Sequence, residues 1–176
     1  MARRFLLALM AALLAAGAAH AALPHIAPDV PGARVAGQGA YTWFGMKIYD
    51  ARLWVGEAGY AAGAPFALEL RYARSLDGAR IAQASADQME KTGGGTPAQR
   101  AAWLRQMRAI FPDVKEGSSI TGLFLPDGVV RFHHDGAALG AISDPAFARA
   151  VAGTWLTRRT TAPRRREALL KDAEPR

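Results

Sequence analysis

The sequence predicts an α+β fold in which strands and helices occupy separate stretches of the chain. Strand-like segments come first, two helices follow, a hairpin of strands comes next, and further helices complete the order. This order differs from the regular strand–helix alternation that builds a parallel sheet, and no internal repeat is present at any period. We therefore expect segregated α+β architecture with antiparallel strand pairs.

The size and composition of the chain are those of one domain. It has 176 residues, of which 51% are hydrophobic, enough to build one core and too little for two ordinary ones. Cysteine is absent, which excludes disulfides, thiolate zinc sites and cysteine nucleophiles. We predict no cofactor and no metal.

Residues 1–21 have the pattern of a Sec-type signal peptide. Arg3 and Arg4 precede an apolar run of about a dozen residues, and small residues then lead to a cleavage site after Ala21. The alternative is an uncleaved membrane anchor, but the run is shorter than the roughly 20 residues that a spanning helix needs. We therefore predict a periplasmic protein with no transmembrane span after cleavage.

Beyond the signal peptide we predict an extended lead-in at residues 22–32, a domain at residues 33–172 and a tail at residues 173–176. The lead-in carries three prolines and little periodicity. Residues 33–55 are rich in β-branched and aromatic residues with glycine punctuation, which predicts two or three antiparallel strands.

The next strand has a regular pattern. Apolar side chains recur at period two from Phe66 to Tyr72, whereas Glu69 and Arg71 fall on the other face. This alternation predicts a half-buried strand whose core-facing side continues to Arg74.

The period then changes to that of helices. An apolar stripe predicts an amphipathic helix over residues 77–92. The following helix has the clearest start in the chain, because Thr96 is a favoured N-cap, Pro97 suits the first helical position and Gln99 completes a capping box. The buried positions predicted for the two helices are Ala82, Ala86, Met89, Trp103, Met107 and Ile110.

The rest of the chain predicts a hairpin, one short strand and two helices. Turn residues at 126–128 join the two strands of the hairpin. The predicted strands lie at residues 120–125, 129–133 and about 139–142, and the predicted helices begin at Pro145, after the cap Asp144, and at about Pro163.

The positive charge is concentrated late in the sequence. The formal net charge is +7, which becomes +5 once Arg3 and Arg4 leave with the signal peptide. We interpret the late basic cluster as a solvated helix face, with peripheral contact to anionic lipid as the alternative. No aromatic residues interleave these arginines, so we predict no nucleic-acid partner. The cluster consists of Arg158, Arg159, Arg164, Arg165 and Arg166.

An ordered set of short motifs resembles the chalcone isomerase-like family, over about residues 33–170. Its opening signature is Gly37-Gln38-Gly39 followed by the run from Phe44 to Leu53. Further matching motifs are Tyr72-Ala73-Arg74, Asp87-Gln88-Met89, Trp103, Phe111-Pro112-Asp113-Val114, Gly117, Thr121-Gly122, Leu125-Pro126, Arg131-Phe132, Asp135-Gly136, Asp144-Pro145-Ala146-Phe147 and Trp155-Leu156.

The resemblance implies an open-faced β-sandwich, in which a large curved antiparallel sheet carries helices against one side and an apolar cleft lies between the two layers. Plant enzymes of this family cyclise a chalcone to a flavanone. Related plastid members bind fatty acids without this chemistry. Membership of the family therefore leaves the activity to be argued from the site.

Cyclisation requires a cation for the phenolate and donors for the developing enolate. The guanidinium position of the enzymes falls near Gly37, which has no side chain, and Arg34 would have to substitute from another direction. The donor positions of the enzymes align with Tyr49, Ile81, Gln88 and Thr154. Because the cation is missing and the donors are half replaced, we expect no chalcone cyclisation, and Tyr49, Gln88 and Thr154 remain the catalytic candidates.

For a binding role, the residues predicted to line the cleft are Tyr49, Arg71, Tyr72, Arg74 and Gln88. Arginine pairs a carboxylate in bidentate fashion, so the expected ligand is a small apolar or acidic molecule of the fatty-acid or phenolic type. A structural interpretation stays open beside this one. It pairs Arg74 with Asp50 and makes both tyrosines core residues with satisfied hydroxyls.

Two further motifs are interpreted as structural. His133 and His134 are neighbours on a strand and point to opposite faces, so we interpret them as a turn flank and not as metal ligands. The glycines at 93–95 lack a preceding strand and a following lysine, so they form a linker and not a phosphate cradle.

Three hypotheses of function follow from the sequence. The first is an exported binding or carrier domain for a small apolar or acidic ligand. The second is an isomerase or intramolecular lyase acting on an enone-like substrate. The third is an envelope partner protein without a small-molecule ligand.

Overall fold

The computed structural model describes residues 23–175, so the predicted signal peptide lies outside the described residues. The described chain forms a six-stranded antiparallel sheet whose strands lie in chain order. The strands are β1 (Arg34–Trp43), β2 (Met46–Val55), β3 (Phe66–Tyr72), β4 (Ser119–Phe124), β5 (Val129–His134) and β6 (Ala137–Ser143). The helices are α1 (Gly78–Lys91), α2 (Pro97–Ile110), α3 (Pro145–Leu156) and α4 (Pro163–Leu169).

This arrangement confirms the predicted α+β order. The helices α1 and α2 are inserted between β3 and β4, which nevertheless pair directly. The predicted capping box is present, because the Thr96 hydroxyl accepts from the Gln99 amide and the Gln99 side chain accepts from the Thr96 amide. No helix within residues 23–175 combines the length and the apolar character that crossing a bilayer requires.

The main core lies between the helices and one face of the sheet. Trp103 of α2 is at its centre with only 1% of its surface exposed. Its indole Nε1 donates to the Oδ2 atom of Asp144, 2.8 Å away, and its ring meets that of Phe147 edge to face. Asp144 is also the N-cap of α3, so one indole joins the second helix to the start of the third.

Residues 23–32 form a series of turns, and the extended lead-in predicted from the sequence is wrong. The amide of Ile26 donates to the carbonyl of Leu23, and the amide of Val30 donates to the carbonyl of Ile26. Both Ile26 and Val30 are fully buried against Trp54, on the face of the sheet opposite the helices. The prolines prevent a regular helix but permit these single turns.

The lead-in changes the environment of β3, whose second face is buried at Ala67 and Glu69, so this part of the strand is buried on both faces and not on one as predicted. Glu69 lies on the lead-in side with 4% of its surface exposed. Its carboxylate accepts a hydrogen bond of 3.0 Å from the Trp54 indole and lies 3.8 Å from the Arg52 guanidinium. A buried carboxylate is tolerated here because it is both hydrogen-bonded and paired.

We expect the free energy of unfolding to decrease as the pH falls below 6.5. His25 and His133 lie between the lead-in and the sheet, with ring centroids 4.8 Å apart. Burial is the main cause that lowers both pKa values from the ordinary 6.5, and the nearby Arg131 lowers that of His133 further. Glu69 and Asp29 oppose these shifts. Between 6.5 and the lowered values the unfolded chain binds more protons than the folded chain, so acidification favours unfolding.

Urea unfolding at about pH 8 and about pH 5 tests this expectation. The midpoint should be lower at the acidic pH, and the double substitution His25→Gln with His133→Gln should reduce the difference. A difference that is undiminished in the double variant would show that other groups carry the pH dependence.

The last helix packs closely on β1 because β1 presents a glycine there. A Cβ atom at Gly37 would overlap the backbone carbonyl of Ala168 in α4. The chain beyond α4 is also held, since the amide of Asp172 donates to β1 and the Arg34 guanidinium donates to the carbonyls of Asp172 and Glu174. Arg34 therefore has a structural role and does not supply a cation to the cleft.

Candidate ligand-binding site

A cavity of about 450 Å³ lies between the sheet and the helices, at the end of β1, β2 and β3 nearest the β1–β2 turn. This volume falls in the range of cavities that hold a small ligand. The lining is mainly aliphatic and aromatic. It consists of Tyr41, Ile48, Tyr49, Leu70, Tyr72, Leu76, Arg80, Ile81, Ala84, Ser85, Gln88, Val151, Thr154, Trp155, Thr161, Ala162 and Arg165.

Three tyrosines form a row across the sheet side of the cavity. Tyr49 of β2 lies directly opposite Tyr41 of β1 and Tyr72 of β3. The rings of Tyr41 and Tyr49 stack at 5.1 Å, and those of Tyr49 and Tyr72 meet edge to face at 6.0 Å. Two of the three were predicted. Tyr41 was missed, although Gly37, Gly39 and Tyr41 recur at period two.

A bulge in β2 helps to build this wall. Tyr41 pairs with Tyr49, but the next residue of β1 pairs with Lys47, so Ile48 is left without a partner in the ladder. A bulge re-aims the side chains next to it. As a result, the adjacent residues Ile48 and Tyr49 both line the cavity, which a regular strand would not allow.

Helix α4 places a cation, the Arg165 guanidinium, in the wall of the cavity. The Cζ atom of Arg165 lies 5.2 Å from the ring centre of Tyr41 and 4.6 Å from that of Trp155, and its Nη1 donates to the Tyr49 hydroxyl at 3.2 Å. Its Nε is buried and has no hydrogen-bond partner within residues 23–175. Arg165 thus presents a partly desolvated guanidinium with a donor still to be satisfied.

Arg165 also corrects the interpretation of the late basic cluster as a solvated helix face. Arg165 and Arg166 are half-buried, and the Nε of Arg166 donates to the carbonyl of Leu156 at 2.8 Å. Arg164, between Pro163 and Arg165, is exposed. Only part of the cluster is therefore solvated, because one side of α4 faces the sheet.

The helix side of the cavity carries amide and hydroxyl groups that are mostly engaged. The Gln88 side-chain oxygen accepts from the Thr161 hydroxyl at 2.8 Å, which joins α1 to the segment before α4. The hydroxyl of Thr154 donates to the carbonyl of Val151, and that of Ser85 donates to the carbonyl of Ile81. The hydroxyl protons of Thr154 and Ser85 are therefore committed to their own helices.

Residues 34–171 match a family model described as chalcone isomerase-like. The chain belongs to the chalcone isomerase-like family. Among solved structures, it is similar to a fatty-acid binding protein of Arabidopsis thaliana, with a TM-score of 0.68 and 13% sequence identity. That similarity covers 81% of this chain and 89% of the other, and at this identity it shows a shared fold. No curated protein matches the sequence.

This member of the chalcone isomerase-like family places its cation differently from what the sequence comparison implied for the enzymes. The implied guanidinium position falls near Gly37, and the backbone of α4 occupies the space above that glycine. The same helix brings Arg165 to the tyrosine row. The charge that appeared to be missing from β1 is thus present, supplied from the last helix.

Two of the predicted cleft residues do not line the cavity. Arg71 is exposed on the opposite face of the sheet, beside His25 and Glu69. Alternation along β3 forces this result, because Leu70 and Tyr72 face the cavity. Arg71 as a cleft residue is therefore wrong.

Arg74 lies beyond the end of β3, outside the cavity lining. Its Nη1 is 3.2 Å from the Met46 Sδ atom. It does not form the predicted pair with Asp50, whose carboxylate lies 2.6 Å from the Lys47 ammonium. Both the ligand-binding and the ion-pair interpretations of Arg74 are therefore wrong.

The electrostatics of the lining favour a permanent positive charge over proton transfer. Burial raises the pKa of Tyr49 to about 12, with Arg165 opposing the rise, and burial also raises the pKa of Tyr72. The lining residues include no carboxylate and no imidazole. Residues 23–175 also contain no group of three or more His, Asp or Glu placed to hold a metal ion.

Proposed function

We propose that this chain binds a long-chain carboxylate of the fatty-acid type in the cavity, with the head group on Arg165 and Tyr49. The observation that carries the proposal is the half-buried Arg165 guanidinium in the wall of a largely apolar cavity. A desolvated guanidinium favours an anionic oxygen, and the aliphatic lining favours a hydrocarbon chain. The second arginine of the lining, Arg80, is exposed and is 3.1 Å from the Asp77 carboxylate.

The shared fold supports this choice of ligand, because a protein with the same architecture is a fatty-acid binding protein. We also propose that binding takes place in the periplasm, on the basis of the signal-peptide pattern in residues 1–21. A phenolate would satisfy the same cation. The aliphatic positions Leu70, Leu76 and Ile81 favour a flexible chain over a second aromatic ring.

The lining supports binding more strongly than the alternative isomerase activity. Ring closure on an enone needs donors that are free to stabilise an enolate, together with a group that exchanges protons near neutral pH. The Thr154 hydroxyl donates to its own helix, so of the three candidate donors the Tyr49 hydroxyl and the Gln88 NH2 group remain, and the lining holds no carboxylate or imidazole to exchange protons with them. The pKa of Tyr49, at about 12, is too high for it to act as a base at neutral pH.

We expect the substitution Arg165→Gln to weaken dodecanoate binding by about 10-fold to 100-fold, the effect of losing a charge-assisted contact. Isothermal titration of the protein without residues 1–21 with dodecanoate measures the affinity. Arg164→Gln is the matched control, because it removes the neighbouring exposed arginine and should leave the affinity unchanged.

Titration with dodecanol separates the head-group contact from the cavity itself. Dodecanol has the same chain without the charge, so both variants should bind it as the wild-type protein does. Equal dodecanoate affinity in Arg165→Gln and the wild type would contradict the proposed head-group site. An equal loss in both arginine variants would point to general electrostatic attraction instead.

A further inference from the structure

The turn between β1 and β2 exposes a group of large apolar side chains that the fold does not need. Trp43, Phe44 and Met46 have 57%, 83% and 45% of their surfaces exposed. The rings of Trp43 and Phe44 meet edge to face at 4.7 Å. We call residues 43–46 the aromatic tip. It gathers the exposed large hydrophobic side chains found within residues 23–175 at one point of the surface.

The backbone of the aromatic tip makes this choice of residues more unusual. Phe44 and Gly45 both have positive φ values, 47° and 75°, as a two-residue hairpin turn of this kind requires. Asparagine and glycine are favoured at the first of these positions, and a bulky side chain there is an outlier. An exposed aromatic ring kept in an unfavourable backbone conformation points to a role outside the fold.

The aromatic tip lies next to the end of the cavity at which β1 turns into β2. Tyr41 and Ile48 line the cavity and lie two residues before Trp43 and two residues after Met46. An amphiphile that leaves or enters the cavity at this end therefore passes beside the aromatic tip.

The charges at the aromatic tip and along the adjacent cavity lining have a positive excess. The cations are Lys47, Arg74, Arg80 and Arg165, and the carboxylates that accompany them are Asp50 and Asp77. Both acidic residues are already paired with cations on the surface, where such pairs are weak. The excess of two positive charges favours an anionic surface.

We propose that the aromatic tip inserts into the head-group region of a bilayer that contains anionic phospholipid, with the adjacent end of the cavity facing the membrane. The inference rests on the proposed amphiphile binding, because it supplies the route by which such a ligand leaves or enters a membrane. Tryptophan and phenylalanine are typical of the membrane interface, and cations beside them attract anionic lipid. A tip of a few side chains is small for a stable protein interface, which buries about 800 Å² on each partner.

Flotation with lipid vesicles tests the proposal on the protein without residues 1–21. Vesicles are made from equal parts of phosphatidylcholine and phosphatidylglycerol, or from phosphatidylcholine alone. We expect the wild-type protein to float with the anionic vesicles, and the triple substitution of Trp43, Phe44 and Met46 by serine to lower the partition constant, obtained by varying the lipid concentration, by about 100-fold. Far-ultraviolet circular dichroism and the melting temperature should be unchanged, since these side chains are exposed.

A pair of charge variants locates the electrostatic part of the surface. Lys47→Gln with Arg74→Gln should weaken binding to anionic vesicles by about 30-fold, at roughly 1 kcal/mol for each cation. Arg158→Gln with Arg159→Gln removes the same charge from the late basic cluster and should have a smaller effect. A larger loss of vesicle binding in the Arg158 and Arg159 variant than in the Lys47 and Arg74 variant would place the membrane contact at that cluster and overturn the proposal.

A fluorescence measurement reports insertion directly. Lipids brominated near the head group should quench part of the tryptophan emission, and Trp43→Phe should remove this quenching while vesicle binding persists. Unchanged flotation of the triple-serine variant would overturn the proposal. A second result would also overturn it. If the wild-type protein sediments as a dimer in the absence of vesicles and the triple-serine variant sediments as a monomer, the aromatic tip contacts a second copy of the chain.

The same variants distinguish failure of the membrane proposal from failure of the proposed fatty-acid binding. The triple-serine variant should bind soluble dodecanoate as the wild-type protein does, because none of its three positions lines the cavity. Arg165→Gln should lose dodecanoate affinity, while its vesicle binding should fall by no more than the roughly 5-fold expected for one cation at about 1 kcal/mol. Loss of vesicle binding with dodecanoate affinity intact supports the membrane site, and loss of dodecanoate affinity alone leaves the membrane contact standing.

Discussion

Replacing Gly37 by alanine is expected to destabilise the protein by roughly 2–3 kcal/mol and to abolish dodecanoate binding. The new Cβ atom would overlap the carbonyls of Ala168 and Leu169, which are backbone atoms and cannot move aside as a side chain can. Helix α4 must then lift away from β1. Because Arg165 is carried on α4, the guanidinium leaves the tyrosine row although no cavity residue has been changed.

Gly39→Ala is the matched control for this prediction. Gly39 lies two residues further along β1 and faces the same helix, but a Cβ atom there would lie 3.6 Å from the nearest side-chain atoms, an ordinary contact. We expect it to leave both stability and affinity close to those of the wild type. Urea unfolding and dodecanoate titration measure the two effects. Similar losses in both variants would mean that glycine flexibility in β1, and not the close approach of α4, is what matters.

The second large effect is expected at Trp103. The substitution Trp103→Ala should lower the free energy of unfolding by about 3–5 kcal/mol, the range for truncation of a buried aromatic residue. The substitution leaves a void in the main core and removes the donor to the Asp144 carboxylate, whose pKa is lowered chiefly by that hydrogen bond. The start of α3 loses its link to α2 at the same time.

Trp43→Ala makes the same chemical change at the aromatic tip, where the side chain is largely exposed. Its effect on the urea midpoint should be close to zero. A comparable destabilisation by both substitutions would indicate that the aromatic tip packs within the folded protein, contrary to its exposure.

Most of the fold was predictable because its signals are local. The capping box at Thr96 and Gln99 is made by residues three apart, and prolines mark the first turns of α2, α3 and α4. The alternation in β3 correctly assigned which residues share a face. Such signals need no knowledge of what packs against each element, so they survive in a single sequence.

The errors arose where a second element decides the outcome. Alternation placed Arg71 opposite Tyr72, as the structure does, but could not show that the cavity lies on the Tyr72 side. The burial of Glu69 depends on a lead-in about 40 residues earlier in the chain, far outside any local pattern.

The candidate site was predicted only in part for the same reason. Tyr49, Gln88 and Thr154 were assigned through the family resemblance and Tyr72 from the residues of its strand, and all four line the cavity. Arg165 was missed because its neighbours in the sequence are also arginines and its role depends on contact between α4 and β1. A useful signal was the pair of glycines at 37 and 39, which indicates that another backbone approaches that strand.

Arg165 lies on a short helix and not on a strand, so the proposed head-group contact does not depend on how the sheet assembles. Each residue of an α-helix turns the side-chain direction by about 100°, so one residue inserted in α4 between Arg165 and Ala168 would swing the guanidinium away from Tyr49 while Ala168 stays on Gly37. The six-stranded ladder would be untouched by that insertion. The proposed head-group contact can therefore change through one short helix, whereas a strand-borne arginine would tie the same change to strand register.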